Sequence, residues 1–159
     1  AMGRTARGVR GINLAEGHKL ISLIVPKVSG RILTVTENGY GKRTENDEFP
    51  AKGRGGKGVI AMSTSDRNGS LVGAVQVWDG DEMMLISNQG TAVRTRVDEV
   101  SLLGRNTQGV RVIRTRDGEA LVSVSRIAED DVVAEPVESV VADPVAEDGV
   151  DSGSDETQE

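Results

Sequence analysis

Gly3-Arg4-Thr5-Ala6-Arg7-Gly8-Val9-Arg10-Gly11-Ile12, Gly53-Arg54-Gly55-Gly56-Lys57-Gly58-Val59-Ile60 and Gly104-Arg105-Asn106-Thr107-Gln108-Gly109-Val110-Arg111-Val112-Ile113 are three versions of one stretch of sequence. Their Gly-Val pairs begin at 8, 58 and 109, a period close to fifty residues. Other features recur 51 residues apart. Leu20-Ile21-Ser22-Leu23-Ile24 answers Leu71-Val72-Gly73-Ala74-Val75, and Asn38-Gly39 answers Gln89-Gly90. Lys42-Arg43-Thr44 answers Val93-Arg94-Thr95, and Glu48-Phe49 answers Glu99-Val100. A fixed period of this length marks a repeat architecture in which each unit buries its apolar face against a neighbour.

Within each unit the apolar residues fall in short β-branched runs broken by Gly, Asn and Pro, which predicts strands. The expected strands are 9–14, 20–25, 32–36 and 41–44, then 59–63, 72–77, 84–87 and 93–95, then 110–114 and 121–127. Asn38-Gly39 predicts a two-residue type I′ hairpin turn with both residues at positive φ. No stretch shows helical periodicity. About four strands per fifty residues predicts an all-β, propeller-like arc of four-stranded blades. Residues 1–128 form two complete blades and part of a third on this reading, and a longer ring is needed to close the circle.

The core has to be aliphatic, because Tyr40, Phe49 and Trp78 are the only aromatics in 159 residues. The absence of cysteine excludes disulfides, thiolate metal sites and a cysteine nucleophile. With a single histidine, His18, expected on an exposed turn, a histidine metal site is excluded too. No apolar run has the length of a membrane span and no secretory leader opens the chain, so a cytoplasmic location is expected.

The net charge of −6 conceals a segregation of signs. Residues 129–159 hold 12 of the 25 acidic residues and none of the 19 basic ones, which leaves residues 1–128 with a net +6. A basic body predicts a polyanionic partner, and its recurrent basic loops predict contacts to a nucleic-acid backbone. The candidate contacts are Arg4, Arg7, Arg10, Lys42, Arg43, Lys52, Arg54, Lys57, Arg94, Arg96, Arg105 and Arg111. Duplex DNA is favoured over single strands, which are normally held by stacking aromatics. Phosphate contacts of this type bind without reading sequence.

Competing motifs fail on context. Gly53–Gly58 matches G-x-G-x-x-G, but a strand-like run follows it where a dinucleotide site needs a helix. Lys57 precedes Gly rather than Ser or Thr, so a P-loop fails as well. Asp79-Gly80-Asp81-Glu82 lacks the spacing of a calcium loop. Tyr40 has no general base beside it in sequence, and no catalytic residue, metal site or cofactor is assigned.

The stretches 2–12, Val35-Thr36-Glu37-Asn38-Gly39-Tyr40-Gly41-Lys42-Arg43-Thr44 and 104–110 resemble the C-terminal DNA-wrapping domain of bacterial DNA gyrase A. The similarity spans residues 2–128, and the acidic tail has a counterpart in proteobacterial members. The resemblance implies a β-pinwheel, usually of six blades with strands exchanged between neighbours, that binds and bends duplex DNA. It also implies a parent enzyme, the ATP- and Mg-dependent type II topoisomerase that introduces negative supercoils. There the partners are the remainder of gyrase A, together with gyrase B. The catalytic tyrosine of that family has no counterpart in Tyr40. The family's Gln-Arg-Arg-Gly-Gly-Lys-Gly box is echoed, with its leading residues altered, by Lys52-Gly53-Arg54-Gly55-Gly56-Lys57-Gly58. Two alternatives stay open: the equivalent C-terminal domain of topoisomerase IV, and a propeller that binds an acidic protein.

Residues 129–159, with paired valines separated by acids and prolines, predict a disordered acidic tail. Such a 31-residue segment samples roughly 30 Å around its anchor, within reach of the basic loops. Tail and DNA then compete for the same cations at a high effective concentration. Deleting 129–159 is expected to tighten DNA binding, most at low salt where screening is weakest. A gel-shift titration of the two chains across ionic strength checks this; equal affinities at low salt would reduce the tail to a spacer.

Overall fold

The structure is a computed structural model, and it describes residues 3–129. The fold is all-β, as expected. Seven strands run in the order β1 (Arg31–Thr36), β2 (Tyr40–Glu45), β3 (Leu71–Val77), β4 (Glu82–Ser87), β5 (Ala92–Arg96), β6 (Val110–Arg111) and β7 (Leu121–Ile127). Single 3-10 turns follow β2 and β5, at Asn46–Glu48 and Val97–Glu99. The strands form two antiparallel sheets, one ordered β3-β1-β2-β6 and the other β5-β4-β7.

The repeat is reproduced in the strand register. Ile32 pairs with Thr44 across β1–β2, and Met83 with Thr95 across β4–β5, both 51 residues on. Each unit's first strand also pairs with its last: Arg31 with Val77, and Glu82 with Ile127. A bulge recurs at Val35/Thr36 and at Ile86/Ser87. Between the second and last strands of each unit lies a long excursion, residues 46–70 and 97–120, that carries a basic loop.

Three expected strands are absent as strands: 9–14, 20–25 and 59–63. Residues 20–25 occupy the repeat position of β3. Among the described residues no strand precedes them to play the part of β1, so no ladder forms and Leu20, Leu23 and Val25 stay exposed. The Ser22 hydroxyl instead accepts a bond from the Ala74 N–H on the outer edge of β3. Residues 9–14 and 59–63 are irregular and make isolated backbone bonds to the next basic loop. The third-unit strand expected at 110–114 shortens to β6, two residues that cover the edge of β2. The sheets therefore draw on residues 31–77 and 82–127, and the part without a sheet of its own is residues 3–28. The predicted acidic tail lies outside the described residues beyond Glu129.

The hairpin turn also differs from expectation. The Gly39 N–H bonds to the Thr36 carbonyl at 3.1 Å, and only Gly39, at φ +78°, enters the left-handed region. The loop is therefore three residues long, a type I turn closed by a left-handed glycine, rather than type I′. A Cβ on Gly39 would sit 2.4 Å from the Ile113 carbonyl oxygen, so the closing residue must be glycine on two counts. Gly90 repeats the arrangement with its bond to the Ser87 carbonyl.

One aliphatic core spans both sheets: Leu33, Val35 and Val77 of the first, Met83, Leu85 and Leu121 of the second, with Val97 and Val100 beside the 3-10 turn. The sheets meet where β3 passes β7. A Cβ on Gly73 would come within 2.7 Å of Val124 Cγ1, so the missing side chain sets how closely the units pack. Each excursion returns through a tight turn held by a buried polar side chain. Asn68 bonds Ser65 N–H and the carbonyls of Ser63 and Gln108. Glu119, 51 residues on, accepts bonds from the Ser87 hydroxyl at 2.6 Å and the Arg116 N–H at 3.0 Å.

The bond from the Ser87 hydroxyl, with further donors at Thr91 and the Arg116 backbone, holds the Glu119 carboxyl well below its ordinary value, at about 2. A depressed folded-state pKa adds stability above the unfolded value near 4.5, and that stability is lost as pH falls toward 2. Urea midpoints are therefore expected to fall between pH 4.5 and pH 2 by more in the native chain than in Glu119→Gln. Parallel curves for the two proteins would assign the acid sensitivity to other carboxylates.

Candidate nucleic-acid interface

The twelve candidate cations separate into two groups. Arg4, Arg7, Arg10, Lys52, Arg54 and Lys57 are exposed, and among the described residues none makes a hydrogen bond or ion pair through its side chain. They are also neighbours. The Gly55 N–H bonds the Gly11 carbonyl at 2.9 Å, and the Asn13 N–H bonds the Gly56 carbonyl at 2.8 Å. These two bonds lay the first basic stretch against the second. The contact recurs one unit on, where the Ser63 N–H bonds the Thr107 carbonyl at 3.0 Å. The second and third basic loops thus each lean on the segment that follows the loop before them.

The other six carry structural bonds. Lys42 is fully buried, contrary to its placement on a DNA-facing rim. Its ammonium donates to the carbonyls of Gly104 at 2.7 Å, Arg105 at 2.5 Å and Thr107 at 3.3 Å, and to the Thr107 hydroxyl at 3.2 Å. Burial pushes its pKa below the ordinary lysine value, a shift partly opposed by Glu48. Arg43 is mostly buried as well. Its Nε donates to the Val100 carbonyl at 2.7 Å and its Nη1 to Asp79 at 2.8 Å, with Asp98 at 3.7 Å. Lys42 and Arg43 are consecutive in β2 and so leave it on opposite faces, yet each is committed to carbonyls or carboxylates of the fold.

Arg94 is paired with Glu82, and Arg96 with Asp98 at 3.2 Å. Arg105 donates to the carbonyls of Glu48 and Ile60 at 2.9 and 2.7 Å. Arg111 donates to the Tyr40 hydroxyl. The acidic run 79–82 supplies anchors rather than a metal site. Asp79 accepts from both Arg31 and Arg43, which draws its carboxyl below the ordinary value. Buried Asp81 receives Arg126, whose guanidinium also stacks 4.6 Å from the Trp78 ring.

Sequence reading overlooked Arg67, which sits in the 65–69 turn and donates to the Tyr40 hydroxyl. The sequence carried no signal for it: nothing around it is basic, and its repeat counterparts are Glu16 and Gly118. Gly53–Gly58 is followed by irregular backbone, so the helix N-terminus that a nucleotide phosphate would need is missing.

Two repeated antiparallel units, preceded and interrupted by glycine-rich basic loops, define a propeller-like, repeat-built β-domain. The match to known families is specific. The family described as DNA gyrase C-terminal domain, beta-propeller, covers residues 1–27, 30–77 and 81–128, and the chain belongs to it. The second matched span holds β1 to β3 and the third β4 to β7, with β6 of the third crossing to pair with β2 of the second.

DNA gyrase A of Salmonella typhimurium is 56% identical over 145 residues, covering 90% of this chain and 16% of that protein. That of Pseudomonas aeruginosa is 59% identical over 128 residues, covering 80% and 14%. The chain thus spans about one sixth of the length of these relatives or less. Among solved structures, a DNA gyrase A C-terminal domain superposes with a TM-score of 0.71 at 34% identity, over 76% of this chain and 41% of that one. A topoisomerase IV C-terminal domain also superposes at 0.71, but at 23% identity, a likeness of fold alone; it covers 77% of this chain and 39% of that one.

Lys42→Met tests the buried ammonium. The carbonyls of Gly104, Arg105 and Thr107 lose their shared donor, which is expected to destabilise the fold by roughly 1–3 kcal/mol. Amide hydrogen exchange should accelerate across 104–109 before it does so in β1. Unchanged exchange in that loop would show that it stands without the lysine.

Proposed function

We propose that this chain binds duplex DNA without sequence preference, as part of a DNA gyrase A protein that bends and wraps DNA during ATP-dependent negative supercoiling. The observation that carries this reading is the set of six exposed cations, without side-chain partners, on two loops joined by backbone bonds. Free cations near one another attract a polyphosphate backbone strongly and non-specifically. Paired ones contribute less, because binding would have to break an ion pair first. Arg94, Arg96 and Arg105 are therefore secondary contacts, while Lys42 and Arg43 support the scaffold.

Bending fits the same arrangement. Loops that recur once per unit at the same edge offer phosphates successive contacts along a curved path, and the gain from those contacts offsets the stiffness of the duplex. The domain's own part needs no cofactor. ATP and magnesium serve the remainder of gyrase A and gyrase B, its partners in the cytoplasm. The gyrase reading is favoured over topoisomerase IV by relatives at 56% and 59% identity. Among the described residues no helix is long and apolar enough to cross a membrane.

Affinity for a random-sequence duplex, read by fluorescence anisotropy, tests the proposal. For roughly six neutralised phosphates the plot of log K against log salt should have a slope of about −5. The Arg54→Glu/Lys57→Glu variant should bind at least tenfold more weakly with an unchanged melting temperature, because exposed unpaired charges add little stability. A slope near zero would overturn the reading in favour of a protein-interaction module, and preference for one sequence would overturn its non-specific character.

A further inference from the structure

Tyr40 opens β2, is the only tyrosine of the chain and is buried. Two guanidiniums flank its ring, Arg67 at 5.0 Å and Arg111 at 5.2 Å from the centroid. Both also donate to its hydroxyl, Arg111 through Nη2 at 2.8 Å and Arg67 through Nε at 3.3 Å. The two donor nitrogens are therefore no farther apart than those two bonds laid end to end. Both arginines are exposed, and neither is in an ion pair among the described residues. Each guanidinium has five N–H donors, and each spends one on the phenol. Two like charges are thus held against one neutral oxygen with most of their donors pointing elsewhere. The cost of that proximity falls when an anion sits between them, and a tetrahedral oxyanion matches the planar donor forks.

We propose that Arg67 and Arg111, fixed by Tyr40, form one clamp for a single phosphate oxyanion. Arg67 comes from the excursion 46–70 and Arg111 from the excursion 97–120, so consecutive units grip the same group. Tyr40 is the positioning residue: its ring stacks both cations and its hydroxyl sets their separation. Resting on the DNA reading above, the clamp takes a backbone phosphodiester of the duplex. It extends the contact surface beyond the basic loops to a turn that has no other cation. The phenol reports occupancy. Arg111 first, then Arg67, hold its pKa below the ordinary 10.0. An anion that neutralises them should move it back up.

The test uses the full 159-residue chain and three variants, Arg67→Gln, Arg111→Gln and the double. Because both arginines hold one phosphate, the double change should reduce the salt slope for duplex DNA by about 0.9 in total, and neither single change should exceed that. Losses that add to about 1.8 would mean two separate phosphates and would overturn the clamp. An unchanged slope in all three would also overturn it, and the loop reading would still stand if Arg54→Glu/Lys57→Glu weakens binding.

A second measurement needs no variant. Tyrosinate absorbance follows Tyr40 alone, and inorganic pyrophosphate should raise its pKa in the native chain but not in the double variant. If the native chain shows no salt-dependent DNA uptake, the DNA reading fails. A pyrophosphate response then still supports an oxyanion clamp for a free phosphate, and its absence overturns the clamp.

Discussion

The ladder between the first and last strand of each unit is the constraint on which everything else depends. Arg31 pairs with Val77 and Glu82 with Ile127, so each ladder closes a loop of more than forty residues. Closing such a loop costs entropy that local contacts cannot return, and the bonds of the ladder and the burial of Leu33, Val35, Leu85 and Leu121 offset it. Once both ends of the excursion are tied, the stretch between them can remain irregular, glycine-rich and exposed. The scaffold is rigid where it pairs and open where it is basic, a common division between frame and binding loop.

Charge is distributed on the same principle. The cations on strands are mostly consumed by the fold: Lys42 by three carbonyls, Arg43 by Asp79 and the Val100 carbonyl, and Arg94 by Glu82. The cations of the first two glycine-rich loops, Arg4, Arg7, Arg10, Lys52, Arg54 and Lys57, are in no ion pair among the described residues, whereas the Glu48 carboxylate reaches the third loop at the Arg105 N–H. A net charge of +6 over residues 1–128 therefore overstates what is buried and understates how concentrated the available charge is. Lys42 links the two groups, since its buried ammonium shapes the loop that carries Arg105.

The repeat was legible because register transfers with it. Positions 51 apart in sequence became positions 51 apart in the ladder, and β7 matched its expected span residue for residue. Strand identity failed where a run needed a partner. Residues 20–25 are as strand-like as 71–77, yet composition cannot say whether another edge lies alongside. The hairpin failed differently. Asn-Gly marks a turn in either geometry, and whether the loop has two or three residues depends on how the flanking strands pair.

By itself the sequence determined the all-β class, the period, the aliphatic core and which loops are basic. These follow from side-chain periodicity, backbone freedom at glycine and the count of charges. Tertiary structure decided which cations are available. Lys42 and Arg54 read alike as basic residues near glycine, but one points into the fold and the other away from it. Pairing of Arg67 with Arg111 across Tyr40 was likewise a decision of the fold, because it joins residues 44 positions apart through a ring that lies on a third segment. Burial and like-charge proximity are properties of packed chains, and no local pattern encodes them.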